Sequence, residues 1–484
     1  ELLRTVDGIF VQRITTIPEE HWTWDKFDDF TIHNISHLLG DEFYDEALKE
    51  DASILQHPTQ YGILKKTRKA IKQLLDGVAT QETVRAELVV PPWLGWMKTF
   101  AMKIASQPHS PDKVFQIGQM SQTRGCGTPP SLVSMQSKHK ALITYSTPDE
   151  EDDSLLRLVA AGTSEVIASV PDSAFTGLQT KAHLTITASA CWEATQKENG
   201  TLSAIHDLVS GYALGVKVPV VDLNTGSLIQ WVDHSTVENI GTYIFYACLA
   251  YVRVQPLESL KAAMVVVAEE PGKARTVTKG KAALKIVLDV VNKICSWPMA
   301  KGLESSVSGM SKSSHAWNVF RDICNQEITF DEDKACSTSE DIVDGEVKTH
   351  VYKRLFALST DYETATDYLS HKVARIIGVL WMQRCGIPKV LLGIVVATCY
   401  QPRNIYFHAT GPLKHMGEPT DIDNIRVIRM VRGVLMGDPL TKPVLHLVNA
   451  VTRLLAVRMG SPTFGEPWIT NRVDLSIKMR GDTA

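Results

Sequence analysis

The chain has 484 residues, of which 44% are hydrophobic and 21% charged, a globular balance with room for about three average domains. That composition excludes a disordered tail, a collagen-like fibre and a disulfide-stapled miniprotein. With 50 Lys and Arg against 54 Asp and Glu, the formal charge is −4, so nucleic-acid binding must be argued from local patches.

No run reaches the ~18 uninterrupted apolar residues of a membrane span. The nearest, Ile376 to Tyr400, is broken by Gln383, Arg384, Pro388 and Lys389. The eight cysteines contain no C-x-x-C pair, which argues against a zinc ribbon and predicts buried free thiols in a reducing compartment.

Residues 1–148 carry aromatic residues for a core (Trp22, Trp24, Phe27, Phe30, Trp93, Trp96) but no legible chemistry. Asp149 to Asp153 follows Pro148 and reads as a solvated turn feeding a helix, because carboxylates favour helix N-termini. Val265–Ala268 and Lys273–Thr278 flank Pro271-Gly272, a turn signal, and predict a hairpin. A helical run follows from Ala282 to Ile294. Asp331 to Lys348, rich in acids, Ser, Thr and Gly, reads as an exposed loop or linker. These breaks suggest three regions: 1–148, 149–345 and 346–484.

The last 140 residues are more sharply patterned. Arg354–Leu358 predicts a strand running into Ser359-Thr-Asp361, then a helix from about Thr364 to Cys385, stopped by Gly386 and Pro388. Ile425–Val431 predicts another strand, followed by the Gly-rich turn Gly433–Asp438. Pro443 belongs in a first helical turn, so a buried, almost wholly apolar helix is expected from near Thr441 to Gly460. Val473–Met479 alternates as a strand and ends at Gly481-Asp482.

Four constellations carry possible chemistry. Asp361 at a strand end and Asp367 six residues on can flank one cleft, since a buried acid needs a cation or metal. For Asp367 a capping box, Thr364-x-x-Asp367, is an equal alternative, and for Asp361 a turn or helix cap. Lys273 and Arg275 share one face of a strand. Residues 261–285 hold six Lys or Arg and two Glu, a local net of +4. Such cations suit a triphosphate, although a solvated hairpin rim has the same composition. In Arg432–Pro443, Gly433 and Gly437 permit close backbone approach, Thr441 places a hydroxyl at a helix start, and Asn449 is a polar exception on the apolar helix, needing a partner. A neighbouring backbone group would satisfy it. Gly481-Asp482 alone is common hairpin chemistry.

Taken in order, these segments resemble those of viral RNA-directed RNA polymerases, most closely the botourmiavirus (ourmia-like) and narnavirus group of positive-strand RNA viruses. Glu269–Thr278 resembles motif F, Ser359–Tyr368 motif A and Arg432–Leu447 motif B, while Arg480–Thr483 sits where motif C, Gly-Asp-Asp, belongs. The resemblance covers roughly residues 260–484. It implies an α+β right-hand polymerase, with fingers, an antiparallel palm sheet with packed helices, an incomplete palm and no thumb. The implied reaction is two-metal nucleotidyl transfer with Mg²⁺ (or Mn²⁺) held by Asp361 and Asp482. Lys273 and Arg275 would neutralise the incoming triphosphate, and Asp367, Asn449 and Thr441 would read the ribose 2′-hydroxyl. Gly433 and Gly437 would let the motif B loop flex against the template base pair. RNA template, RNA product and nucleoside triphosphates are the implied partners, and the cytoplasm of an infected host cell the implied location.

Two departures accompany the resemblance. Thr483 stands where motif C has its second Asp, and a neutral hydroxyl does not replace a carboxylate's charge at a divalent ion. The chain also begins at Glu1 and ends one residue after Thr483, which predicts an internal piece of a longer polymerase, or else a palm divided between two chains. The alternatives are a degenerate, non-catalytic RNA-binding polymerase-like domain, a reverse transcriptase and a generic α/β enzyme. A reverse transcriptase would carry an aromatic steric gate at the Asp367 position.

Overall fold

A computed structural model of the protein describes residues 58–73, 80–108, 110, 113, 117, 129–149, 152–210, 217–270, 273–303, 306, 310, 337–343, 346–352, 365–408 and 425–459. These residues form an α+β structure of helices with mixed and antiparallel sheets. No described helix is long and apolar enough to cross a membrane. The described cysteines, at 191, 248, 295, 385 and 399, are free and buried, as their spacing predicts.

The chain divides into two compact units. The smaller takes the described residues through Lys140 together with those of Val266–Thr276. Its helices are α1 (Pro58–Gln73), α2 (Gln81–Glu87) and α3 (Gly95–Ala105). The Thr80 hydroxyl opens α2 by accepting from Thr83 N at 3.2 Å, which satisfies one of the donors that a helix start leaves unpaired. Tyr61, Leu64, Ile71, Val84, Leu88, Met97, Phe100 and Ile104 bury the apolar faces of these helices in one core. The helix α4 (Ser131–Ser146) begins in this unit and ends in the larger one.

The larger unit is mostly helical: α5 (Asp153–Ser169), α6 (Gly200–Ser210), α7 (Ile240–Val254), α8 (Leu257–Leu260), α9 (Ala282–Gly302), α10 (His371–Arg384), α11 (Lys389–Cys399) and α12 (Thr441–Met459). As the acidic turn predicts, Asp152 caps α5, its carboxylate accepting from Ser154 N at 3.0 Å. One large core joins Val159 and Val166 of α5, Val287 and Val291 of α9, Ile377 and Trp381 of α10, Val395 of α11, and Leu447 and Val451 of α12. Burying each such Val, Leu or Ile side chain contributes roughly 1.5–3 kcal/mol. The Trp381 indole donates to the Cys295 carbonyl at 3.0 Å, so its one polar atom is satisfied within that core. Pro443 lies in the first turn of α12, as its missing N–H requires.

The strands are β1 (Val218–Val221), β2 (Leu228–Val232), β3 (Ala263–Glu270), β4 (Lys273–Lys279), β5 (Ser337–Val343), β6 (Glu346–Tyr352), β7 (Arg403–His408) and β8 (Ile425–Met430). β1 and β2 form an antiparallel ribbon. A four-stranded sheet runs in the order β4-β3-β7-β8. β3 and β7 are parallel, with Ala263 opposite Ile405, and β7 and β8 antiparallel, with Arg403 opposite Met430. The sheet buries Ala263, Val265, Ile405 and Met430 against Ala141, Leu142 and Tyr145 of α4 and against Leu435.

Three sequence expectations need correction. The helix expected from Thr364 begins seven residues later, at His371, where the Ser370 hydroxyl accepts from Lys372 N and Val373 N. Ser370 takes the cap because residues 365–368 form a turn; the helix end at Arg384 agrees, and Gly386 follows with φ +70°. The run expected to end at Ile294 continues to Gly302 through Pro298, whose ring is buried in the helix bundle. Finally, the acidic stretch expected as a loop contains an antiparallel hairpin of β5 and β6 with Val343 opposite Glu346. Asp344-Gly345 between them is a strong hairpin dipeptide, which sets the pairing despite the charge around it. Arg354–Leu358, Val473–Met479 and the Pro271-Gly272 turn lie outside the described residues.

Candidate functional site

Asp367 stands in the turn just ahead of α10 and is 7% exposed. The Tyr145 hydroxyl donates to Asp367 Oδ1 at 3.0 Å, and Thr366 Oγ1 donates to the same oxygen at 3.3 Å. Burial raises the Asp367 carboxyl above the usual carboxylate range, and the two hydrogen bonds oppose that rise. Burial also raises the Tyr145 phenol, and the adjacent Asp367 charge adds to the effect, so the phenol stays protonated and donates. Ser370, not Asp367, caps the following helix; the capping alternative for Asp367 is therefore incorrect.

The loop between β8 and α12 is stitched to this turn through its backbone. Gly433 N donates to Leu369 O at 2.7 Å and Val434 N to Thr366 O at 2.8 Å. Gly433 has φ +95°, a left-handed conformation that costs a side chain strain. A Cβ there would also lie 2.9 Å from the Asp367 carbonyl and 3.2 Å from Tyr145 Cδ1. Four residues on, a Cβ at Gly437 would sit 1.9 Å from the Thr278 carbonyl at the end of β4. Three segments far apart in sequence thus meet: the Asp367 turn, the Gly433–Gly437 loop and the Thr278 end of β4.

Thr441 and Asn449 come from α12. Thr441 Oγ1 donates to Leu435 O at 2.6 Å, closing the loop onto the helix start. Asn449 Oδ1 is buried and has no hydrogen-bond partner among the described residues, so no described backbone donor occupies that oxygen. A buried amide oxygen left without a donor costs about 1–3 kcal/mol.

Beneath the loop, the Arg403 guanidinium, buried at the start of β7, pairs through Nη2 with Asp438 Oδ2. His371, at the start of α10, is 8% exposed, and its ring nitrogens find no partner among the described residues. Burial, with the Arg403 charge adding to it, lowers this imidazole to about 4, so it is neutral at pH 7. The end of α4 is fastened to the same loop. Val431 N donates to Tyr145 O at 2.8 Å, and Arg432 Nε donates to Thr144 O at 3.0 Å. Arg432 also pairs with Asp149 at 2.9 Å and lies 5.0 Å over the Tyr368 ring.

Lys273 and Arg275 belong to the smaller unit. Lys273 is exposed; Arg275 Nε pairs with Glu270 Oε2 at 3.0 Å, both side chains about half exposed. Behind them, Ser137 Oγ donates to Ala274 O at 3.1 Å and Ser134 Oγ to Glu269 Oε1 at 2.7 Å, tying α4 to the hairpin. Asp361, Asp482 and Thr483 lie outside the described residues.

Among the predicted residues, Asp367 and Gly433 are therefore in contact, while Gly437 meets Thr278 and Thr441 closes the same loop onto the helix start. Tyr145 and Arg403 were missed. Each acts through a contact with a residue far away in sequence, 222 positions in the case of Tyr145, and neither belongs to a local motif. No protein-family model matches the chain, and no curated protein is significantly similar to it.

Proposed function

We propose that the chain carries the nucleotide-handling centre of a viral RNA-directed RNA polymerase, with fingers and palm of the right-hand architecture. The observation that carries this is the convergence of the motif-A-like turn at Asp367, the motif-B-like loop at Gly433–Gly437 and the end of the motif-F-like strand at Thr278. A polymerase needs these three segments around one incoming nucleotide, and nothing in their sequence separation requires them to meet.

On this reading Asp361 and Asp482 hold Mg²⁺, for which two carboxylates are a suitable hard-oxygen donor set. Bound there, the ions would lower the pKa of the primer 3′-hydroxyl and stabilise charge on the leaving pyrophosphate. Lys273 and Arg275 bind the triphosphate. The pair of Arg275 with Glu270 is exposed, so exchanging Glu270 for a phosphate oxygen costs less than about 1 kcal/mol. Asp367 accepts from the ribose 2′-hydroxyl and Asn449 accepts from or donates to it, which distinguishes ribonucleotides from deoxyribonucleotides, while Thr441 holds the loop that frames the site. The partners are RNA and nucleoside triphosphates, in the host-cell cytoplasm.

The test is elongation of a primed RNA template with labelled ribonucleotides. Template-dependent extension that disappears in Asp361→Ala is expected, whereas equal extension by the variant contradicts the assignment. Thr483 favours a second reading, a polymerase-like domain that holds RNA without turnover. RNA binding without Mn²⁺ binding would select it.

A further inference from the structure

We infer that Tyr145 is a positioning residue for ribose recognition: its hydroxyl fixes the Asp367 carboxylate so that Oδ2 faces the 2′-hydroxyl of the incoming nucleotide. This rests on the polymerase reading above and extends it to a residue outside every motif that suggested that reading. The Tyr145 and Thr366 hydroxyls both donate to Oδ1, leaving Oδ2 without a donor among the described residues. A carboxylate held through one oxygen has a set orientation, and the other oxygen is the acceptor it presents.

The surroundings make Tyr145 a fixed support. It is 1% exposed and packs with Ala141, Leu142, Ile405, Met430 and Leu435. Its carbonyl accepts from Val431 N at 2.8 Å, so backbone and side chain of one residue grip the motif-B-like loop and the motif-A-like acid together. Gly433 leaves the space for this, since a Cβ there would press on both Tyr145 and the Asp367 carbonyl. An acid that merely needed solvation would not require a tyrosine delivered from a separate helix.

The experiment compares binding of ATP and 2′-deoxyATP by the full chain with a primed RNA template and Mg²⁺, in wild type, Tyr145→Phe, Asp367→Asn and the double variant. Phe keeps the buried ring, and thermal unfolding checks that the fold survives. Tyr145→Phe should reduce the preference for ATP by about three- to tenfold, the worth of one hydrogen bond. The double variant should discriminate no less than Asp367→Asn alone, because the two residues act in series. If both affinities fall in parallel and the ratio holds, Tyr145 is only a packing residue and the inference fails while the polymerase reading stands. ATP binding without any preference in wild type overturns the 2′-hydroxyl role of Asp367 and the inference with it. A chain that binds neither nucleotide overturns the polymerase reading as well.

Discussion

The buried junction around Asp367 and the exposed tip of the β3–β4 hairpin hold their charges in opposite ways. In the junction two charged groups have designated neighbours: Asp367 has Tyr145, and Arg403 has Asp438. At the tip, Lys273 is exposed and Arg275 has a half-exposed Glu270. Buried groups with fixed partners give geometry, which would suit the proposed reading of one hydroxyl. Exposed cations with exchangeable partners give charge, which would suit the proposed grip on a triphosphate that must arrive and leave.

Substitutions should therefore cost far more in the junction than at the tip. Arg403→Leu leaves Asp438 as an uncompensated, largely buried charge and should destabilise the fold by about 4 kcal/mol, read from denaturant unfolding. Gly437→Ala drives a methyl into the Thr278 carbonyl and should cost about 3 kcal/mol. If either is tolerated with little loss, the tight junction is wrong.

Acid gives a comparable effect through His371. Its folded pKa of about 4 lies below the ordinary value of 6.5, so between those values the unfolded chain binds more protons. Stability is then fully present above pH 6.5 and falls by roughly 3 kcal/mol as the pH drops towards 4. His371→Phe should abolish that part of the slope; an unchanged slope would mean the imidazole is not buried neutral.

The smallest effect belongs to the tip. Glu270→Gln should change stability by less than about 1 kcal/mol. Arg275→Ala should raise the nucleotide concentration needed for extension. A change confined to RNA affinity would make Arg275 a template contact instead.

The sequence showed those features whose physics is local. The stop at Gly386, Pro388 just beyond, Pro443 in the first turn of α12 and the β3–β4 pattern all follow from backbone chemistry within a few residues. Asp367 was singled out, but its surroundings could not be read, because one partner arrives from α4. The Thr364-x-x-Asp367 spacing suggested a cap, yet Ser370 three residues on was an equally good cap and lay closer to the apolar run that becomes α10. The Arg403–Asp438 pair was illegible for the same reason, 35 residues separating its halves. Charge misled the reading of residues 331–348, where the β5–β6 pairing was expressed in two residues, Asp344-Gly345, that composition averaged away.

The carboxylates proposed to hold metal, Asp361 and Asp482, are the centre of the proposed polymerase function, and Mn²⁺ binding tests them most directly. Titrating the full chain with Mn²⁺ under electron paramagnetic resonance should show bound ion in wild type and its loss in both Asp361→Ala and Asp482→Ala. Equal binding by the variants, or no bound ion in wild type, would contradict a catalytic site built on Asp361 and Asp482.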